Sequence, residues 1–235
     1  SDFVRRKTYM LSNSFEKAKI LTNLSSSLKV TKSPKKIVTP VPTEIMCTEV
    51  AVLKAEDHRL LTSKNYEVYL APAAKIPNIL HEIGRLREIT FREIGEGTNK
   101  AIDLDTFDSY YHHMFLWDTE AKSLAGAYRM GLGSEIFEAK GIDGFYLQDL
   151  FRFEPELHSM MSKSIELGRA FIIKSYQQKP MPLFLLWKGI VHSTLRFPEH
   201  KYLIGGVSIS NQFTNFSKSL MIEFMKSHYY DPYLA

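Results

Sequence analysis

Two apolar, strand-like segments of this chain carry charged residues in their middle, and this placement constrains the fold more than any other feature. LAGAYRMGLG (residues 124–133) contains Arg129, and SIELGRAFI (Ser164–Ile172) contains Glu166 and Arg169. An isolated charge is expensive to bury, so such residues are tolerated in a core only when they are paired and hydrogen-bonded. The two segments are therefore predicted to meet around a built site rather than to line a solvated surface.

A third charged segment, FREIGEGTNKAIDLDTFDSYYHH (residues 91–113), precedes these strands and ends in adjacent histidines. It contains Arg92 and an aspartate cluster, Asp103, Asp105 and Asp108. Aspartate favours loops and turns because its side chain hydrogen-bonds the nearby backbone, so each of the three also has a structural interpretation. The spacing is not that of an EF-hand loop, and we expect no metal ion.

Apolar spacing along the chain predicts helices and strands in a definite order. Helices are predicted at residues 14–24, 43–54, 77–94, 134–139, 182–195 and 212–228. Ser14 and Thr43 are the expected N-caps of the first two helices. Strands are predicted at residues 65–71, 112–117, 124–132, 165–173 and 202–209, the second and third forming a hairpin. The expected fold class is α/β (α+β), with a mixed, mostly antiparallel central sheet flanked by helices.

The first 41 residues differ from the rest of the 235-residue chain. They are basic and end in prolines, and we interpret residues 1–41 as an arm or linker, or as the end of an upstream domain; residues 42–235 form the main domain. An electrostatic contact of the arm with anionic lipid is the alternative interpretation. The net charge of +4 suits an acidic protein partner or an anionic membrane surface, and it does not by itself indicate nucleic acid. No apolar run reaches the ~20 residues of a transmembrane helix.

The order of these elements resembles the GNAT acyltransferase fold. Six segments further resemble the ornithine-lipid-synthase and hemolysin-like branch of the GNAT N-acyltransferases, which is related to the acyl-homoserine-lactone autoinducer synthases. The segments are IGRLREITFREIGEGT (83–98), DLDTFDSYYHHMFLWD (103–118), AGAYRMG (125–131), ELGRAFI (166–172), LLWKGI (185–190) and YLIGGVSIS (202–210). The basic arm more loosely resembles the end of a phosphate-ester acyltransferase domain, which is often fused upstream in this family.

This resemblance implies an acyltransferase that moves a fatty acyl group, commonly 3-hydroxylated, from acyl-carrier protein to the α-amine of an amino acid. It implies a lyso-aminolipid product and a cytoplasmic enzyme held peripherally at the inner face of the membrane. Acyl-CoA is the alternative co-substrate, and no redox cofactor or metal is implied. Two other readings stay open: an autoinducer-synthase-like enzyme that uses S-adenosylmethionine, and a non-enzymatic, membrane-associated hemolysin-like protein.

Aminolysis of a thioester needs a group that takes a proton from the incoming ammonium, and Glu166 is a candidate for this task. Strand alternation predicts that Glu166 shares a face with Gly168 and Ala170, and that Arg169 lies on the opposite face. Glu166 would bind the amino group or accept its proton, directly or through water. The alternative is a structural ion pair with Arg129 or another arginine.

The remaining site assignments follow from the same resemblance, in which an acidic cluster helps to form the amine-substrate site. The catalytic side is assigned to Glu166, Asp103, Asp105 and Asp108. The substrate side is assigned to Arg92, Arg129, Arg169, His112 and His113. Arg92 and Arg129 would pair with the acidic cluster or hold the substrate carboxylate, and the alternative is an ordinary structural ion pair. Arg129 and Arg169 would fix the site geometry or the substrate carboxylate. One of the adjacent histidines should point inward, as a core residue or as a base.

The donor side is assigned to Phe171, Ile172, Lys174 and Lys179. Most GNAT enzymes that use acetyl-CoA carry a glycine-rich pyrophosphate loop at this point, whereas KSYQQKPMPLF (residues 174–184) has no glycine. The following helix N-terminus still offers N–H groups and a favourable dipole for a phosphate. The two lysines fit the acidic surface of a carrier protein or are solvated, and the apolar residues 184–187 are core, acyl slot or both.

Overall fold

A computed structural model describes residues 33–209 and 213–231 of the chain. These residues divide into a compact unit, Ser33–Gly206, and a second unit that includes residues 207–209 and 213–231. The helix expected at residues 14–24 and most of the basic arm lie outside the described residues, so those expectations stay predictions. In the second unit a helix, α7, spans Asn215–Tyr229, and the Thr214 hydroxyl caps it by accepting the Ser217 N–H at 3.1 Å.

The first unit is built on a six-stranded sheet in which each strand pairs with the next one along the chain. The strands are β1 (Arg59–Ser63), β2 (Tyr66–Pro72), β3 (His112–Asp118), β4 (Ser123–Leu132), β5 (Ser164–Ile172) and β6 (Tyr202–Ile204). Neighbours are antiparallel as far as β5, and β5 and β6 are parallel. The expected mixed, mostly antiparallel sheet is confirmed, although β1 was not predicted.

Helices cover both faces of this sheet. They are α1 (Thr43–Ala55), α2 (Pro77–Glu93), α3 (Gly133–Lys140), α4 (His158–Ser162), α5 (Lys174–Gln177) and α6 (Pro180–Arg196). One face packs its apolar side chains, such as Tyr69 and Phe115, against α1 and α2. The other face, with Val68 and Met114, packs against α6. The predicted N-cap at Thr43 is wrong: Thr43 is the first residue of α1, and Pro42 occupies the cap position without a side-chain hydrogen bond.

A bulge in β5 changes the alternation that the sequence suggested. Ala127 pairs with Phe171, but two residues later Arg129 pairs with Gly168, so β5 has one extra residue between the two pairs. Arg169 lies in this bulge with a positive φ of 52°. The prediction that Arg169 faces away from Glu166 is therefore wrong, because the extra residue turns its side chain to the α2 face of the sheet.

The pairing between β5 and β6 ends partway along β5, so part of this edge of β5 is left free. The parallel pairing with β6 covers three residue pairs and ends at Glu166 and Ile204. The strand expected at residues 202–209 is therefore shorter, and beyond Glu166 this edge of β5 has no strand neighbour in the part of the chain that the structure describes. In α6, Leu185 and Leu186 are buried as expected, whereas Phe184 and Trp187 are exposed rather than core.

Candidate active site

Close packing between α2 and the loop that follows it positions the first aspartate. A Cβ atom on Gly84 would lie 2.7 Å from the Leu104 side chain, so only glycine lets the loop approach this closely. The Asp103 N–H then donates to the Gly84 carbonyl at 3.2 Å. Because Gly84 is about one helical turn from Arg87, this contact brings Asp103 next to the Arg87 side chain.

Arg87 is the centre of a buried charge network that also contains Asp103 and Asp108. Its Nε donates to Asp103 Oδ2 at 2.8 Å, and its Nη1 and Nη2 donate to Asp108 Oδ1 and Oδ2 at 3.1 and 2.8 Å. Burial by itself would raise the pKa of Asp108, but the hydrogen bonds and charge of Arg87, with the charge of Arg129, lower it to about 2. Asp108 is therefore ionised at any physiological pH, and its charge is balanced by that of Arg87.

Arg129 of β4 extends this network to Asp105. Its Nη1 donates to Asp105 Oδ1 at 2.7 Å, and its guanidinium carbon lies 5.0 to 5.5 Å from the ring centres of Tyr146, Tyr111 and Phe107. Asp105 also accepts the N–H groups of Phe107 and Asp108, which is the turn role foreseen as its alternative. Arg129 Nη2 is buried and has no hydrogen-bond partner among the described residues. This free donor is suited to an acceptor from a ligand.

Arg169 joins the same cluster from the bulge in β5. Its Nη1 lies 3.7 Å from Asp103 Oδ2 and its Nη2 lies 3.6 Å from Asp105 Oδ2. The cluster therefore contains three aspartates and three arginines, and their formal charges cancel. Its members are Asp103, Asp105, Asp108, Arg87, Arg129 and Arg169. Arg169 Nε is buried without a partner in the described structure and is a second donor left free by the network.

Glu166 is buried beside this network but has no counter-ion of its own. Its Oε1 accepts the Leu147 N–H at 2.8 Å, and its Oε2 accepts the Tyr111 hydroxyl and, at 3.2 Å, the Tyr146 N–H. All three donors are neutral, and no ion pair of Glu166 is seen in residues 33–209 and 213–231; the charge of Arg129 acts on it only at longer range. Burial raises its pKa above that of a free glutamate. Because a carboxylate has about four acceptor positions, roughly one remains for a ligand.

Glu166 and Arg129 share one face of the sheet with Gly168, and there is open space over Gly168. Gly168 is the cross-strand partner of Arg129, and it is two residues from Glu166 on β5, so all three lie on one face of the sheet. A Cβ atom on Gly168 would meet nothing within 4 Å. The missing side chain thus leaves room on the face of the sheet that carries both a carboxyl group and a guanidinium.

The adjacent histidines point in different directions, as expected. His113 is buried, and its Nε2 lies 2.9 Å from the carbonyl oxygen of Asp108, while its Nδ1 has no partner among the described residues. Burial lowers the pKa of His113 to about 4, so the ring is neutral at physiological pH. His112 lies on the opposite face of the sheet, with its Nε2 3.0 Å from Glu135 Oε2 and its ring centre 6.2 Å from that of Phe197.

Arg92 is not brought together with the acidic cluster. Its Nε donates to Glu88 Oε1 at 2.7 Å and its Nη1 donates to the carbonyl of Lys35 at 2.9 Å. Glu88 in turn accepts the N–H and hydroxyl of Thr98. These contacts connect the end of α2 to the segments before and after it. Arg92 thus forms a structural ion pair, which was the alternative to a role in the site.

Three of the four predicted donor residues line two cavities near the end of β5. Phe171 and Ile172 line a cleft of about 310 Å³, whose other walls include Tyr128, Leu183 and Leu186. Lys174 lines a neighbouring cavity of about 410 Å³ and lies 3.7 Å from Glu93 Oε1.

Lys179 lines neither cavity, and its Nζ lies 4.4 Å from the ring centre of Tyr176. In the described residues, no three His, Cys, Asp or Glu side chains converge in a way that would hold a metal ion.

Sequence reasoning missed Arg87, Tyr111 and Tyr146. Arg87 was detectable, because it follows Ile79 and Ile83 at intervals of four on the apolar face of α2. An arginine at such a position needs a buried partner. Tyr111 and Tyr146 had no such signal, since their contacts with Glu166 join segments that are distant in the chain.

Comparison with known proteins supports the fold. Residues 86–187 match the acetyltransferase (GNAT) domain family. Two relatives named glycine N(alpha)-acyltransferase, from Bacteroides thetaiotaomicron and Phocaeicola vulgatus, are 32% and 33% identical over 208 residues, which is 83% of this chain. The match covers 60% and 63% of those relatives, so the chain spans less than two thirds of their length.

A solved structure is also similar. It is the crystal structure of the AHL synthase LasI, with a TM-score of 0.42 and 14% identity, and the match covers 68% of this chain and 78% of that one.

Proposed function

We propose, from the premise that the chain contains a GNAT acetyltransferase domain, that it transfers a fatty acyl group from a thioester to the α-amine of a small amino acid. One observation carries the proposal. The open space over Gly168 lies on the sheet face that carries a carboxyl without a counter-ion, Glu166, and the free Nη2 of Arg129. A free amino acid has the complementary charges at its two ends.

The acceptor would lie over Gly168 with its carboxylate on Arg129 Nη2 and Arg169 Nε. Both nitrogens are buried and lack partners in the described residues, which favours a bidentate contact between arginine and carboxylate. The ammonium would then face Glu166 from the same side of the sheet. The curated relatives carry glycine in their name, and we take glycine as the first acceptor to test.

Glu166 would take the proton that makes the amine nucleophilic. Its raised pKa brings it closer to that of the ammonium, which favours proton transfer. The neutral nitrogen attacks the thioester carbonyl, a C–N bond forms and the C–S bond breaks. One ammonium proton leaves through Glu166 to water, and a second ends on the sulfur of the released thiol.

The bulge in β5 would stabilise the oxygen of the tetrahedral intermediate. Residues 169 and 170 have no partners in the ladder with β4, so their N–H groups are not committed to that pairing. Such donors stabilise an oxyanion when they are fixed before the reaction. Arg169 would therefore act twice, through its side chain on the acceptor and through its backbone beside the donor.

The donor would enter along the free edge of β5. Unpaired backbone groups at a sheet edge bind the amide groups of an extended chain such as phosphopantetheine, and the 310 Å³ cleft suits alkyl carbon. We propose acyl-carrier protein rather than CoA as the carrier, because residues 174–184 have no glycine and Lys174 and Lys179 are exposed. A 3-hydroxyacyl chain, a lyso-aminolipid product and a place at the inner membrane face complete the proposal.

The test is a reaction of the purified 235-residue chain with one acyl group presented on acyl-carrier protein or on CoA. Each donor is offered glycine, larger amino acids and S-adenosylmethionine, and the products are identified by mass spectrometry. N-acylglycine formed faster from the carrier protein is the expected result, with Glu166→Gln as the inactive control. A lactone from S-adenosylmethionine would favour the autoinducer-synthase alternative, and no amide from any pair would refute the proposal.

A further inference from the structure

Helix α6 is apolar on both of its faces, and only one of them is covered. Its inner face packs on the sheet so closely that a Cβ on Gly189 would lie 2.7 Å from Met114 Sδ. Its outer face has five large apolar side chains, each between 50% and 72% exposed: Leu183, Phe184, Trp187, Val191 and Leu195. Monomeric proteins seldom expose a contiguous patch of this kind without a use for it.

These five side chains form a continuous strip, which we call the α6 stripe. Leu183, Trp187, Val191 and Leu195 are spaced by four residues, so they follow one line along the helix, and Phe184 lies beside that line. At 1.5 Å per residue the stripe is about 18 Å long. It is long enough to be a docking surface in its own right.

Most charges around the stripe are positive, although Arg196 at its end is paired with Asp57 at 3.5 Å and the exposed Glu199 follows the helix. Helix α6 contains no aspartate or glutamate, Lys188 borders the stripe, and Lys179 precedes the helix. Both lysines are exposed. An apolar face with a basic border is the pattern of a helix that lies in the interface of an anionic bilayer. At 17 residues α6 is shorter than a membrane span needs, and no described helix is both long and apolar enough to cross a bilayer.

We propose that the α6 stripe docks this protein on the surface of an anionic lipid bilayer, with the helix parallel to the membrane plane. The exposed Trp187 would then lie at the level of the headgroups, where tryptophan is favoured. Leu183 both begins the stripe and lines the cleft beside β5. If the proposed acyl transfer holds, the acyl chain in that cleft is adjacent to the lipid surface, but the docking itself rests on exposure and charge alone.

The two tryptophans of the chain make a direct measurement possible. Trp117 is 3% exposed and serves as an internal reference, whereas Trp187 is 61% exposed. Emission spectra are recorded for the full chain with vesicles of phosphatidylcholine, alone or mixed with phosphatidylglycerol, and with brominated lipid as a quencher. We expect a shift to shorter wavelength and quenching with the anionic vesicles, and both effects should be absent in Trp187→Phe.

Vesicle co-sedimentation then tests the stripe itself. Leu195→Glu places a charge on its most exposed residue, and we expect the partition onto anionic vesicles to fall by about tenfold or more. Phe151→Glu introduces the same charge at an exposed phenylalanine outside α6 and should leave the partition within about twofold. No donor or amine is present, so failure here leaves the acyl-transfer proposal intact.

Three results would overturn the docking proposal. The first is a Trp187 that acrylamide cannot quench in the vesicle-free protein, because the stripe would then already be covered. The second is a dimer that Leu195→Glu converts to a monomer on size exclusion, because the stripe would then bind a second copy. The third is an equal loss of vesicle binding in both glutamate variants.

Discussion

Asp108 and Glu166 are buried to the same degree, 2% exposed each, yet the fold gives their carboxyl groups opposite settings. Asp108 accepts two N–H groups of Arg87, and that cation with Arg129 lowers its pKa to about 2. Glu166 accepts only neutral donors, and burial raises its pKa. Burial alone therefore does not set the pKa of a carboxyl group in this protein; the charge of its partners decides the direction of the shift.

The largest expected effect is on catalysis, in Glu166→Gln. The rate of acyl transfer should fall by about 10²- to 10⁴-fold, because the amide cannot take the ammonium proton. The free energy of unfolding in urea should change by less than about 2 kcal/mol, because the amide removes a buried charge but its NH₂ group cannot accept the hydrogen bonds that one carboxylate oxygen accepted. The two effects together separate a reactive carboxyl from a structural one.

Glu67 offers a matched control for this variant. It is a buried glutamate that accepts the hydroxyl of Tyr69, as Glu166 accepts that of Tyr111. Unlike Glu166, it also forms ion pairs, with Arg59 at 2.6 Å and with Lys54 at 3.1 Å. Glu67→Gln should keep full activity and lose stability. An active Glu166→Gln, or an inactive but stable Glu67→Gln, would remove the basis for the comparison.

The next effect is on stability, in Arg87→Met. The free energy of unfolding should fall by about 3–5 kcal/mol, because Asp103 and Asp108 would lose their main buried partner. Lys75→Met, which breaks the exposed pair with Glu56, should cost about 1 kcal/mol or less. Chemical denaturation measures both, and similar losses in the two variants would mean that the network is not what stabilises the aspartates.

A smaller effect on catalysis is expected from filling the space over Gly168. In Gly168→Val the transfer rate should fall by about 10²-fold, because the acceptor is displaced, while the unfolding midpoint should hold or rise. Gly126→Val is the opposite case, since its Cβ would lie 2.5 Å from the carbonyl oxygen of Phe171 and should destabilise the fold. Normal activity in Gly168→Val would show that the acceptor binds elsewhere.

The smallest effect is the pH dependence that His113 gives to stability. Its pKa is about 4 in the folded protein and 6.5 when free, so between these values the unfolded chain binds a proton that the folded protein does not. Stability should therefore fall as the pH drops from 6.5 toward 4, by about 2 kcal/mol near pH 5. Denaturation at several pH values should show this slope in His112→Gln and lose it in His113→Gln.

The fold was largely predictable because its signals are local. Alternating apolar residues indicated β3, β4 and β5, and apolar residues at helical spacing indicated α2 and α6. The bulge at Arg169 was not predictable, since it depends on the register between β4 and β5 rather than on either strand alone. That single extra residue decides on which face a charged site residue lies.

The sequence predicted which carboxylates come together in the candidate site, but only some of the residues that pair with them. Asp103, Asp105 and Asp108 do meet Arg129 and Arg169, as the charged strands suggested. Arg87, and not the predicted Arg92, pairs with Asp103, and its place on the apolar face of α2 was the signal that the sequence offered. The tyrosines that hold Glu166 reach it only through tertiary contacts.

Direct titration of the two carboxyl groups tests the central claim. Infrared difference spectra between the ligand-free wild-type protein and Glu166→Gln isolate the carboxyl band of Glu166, and Asp108→Asn isolates that of Asp108. The account predicts that Glu166 gains its proton above pH 4.5, the value of a free glutamate, while Asp108 stays ionised down to about pH 2. A Glu166 that remains ionised below pH 4.5 would contradict it.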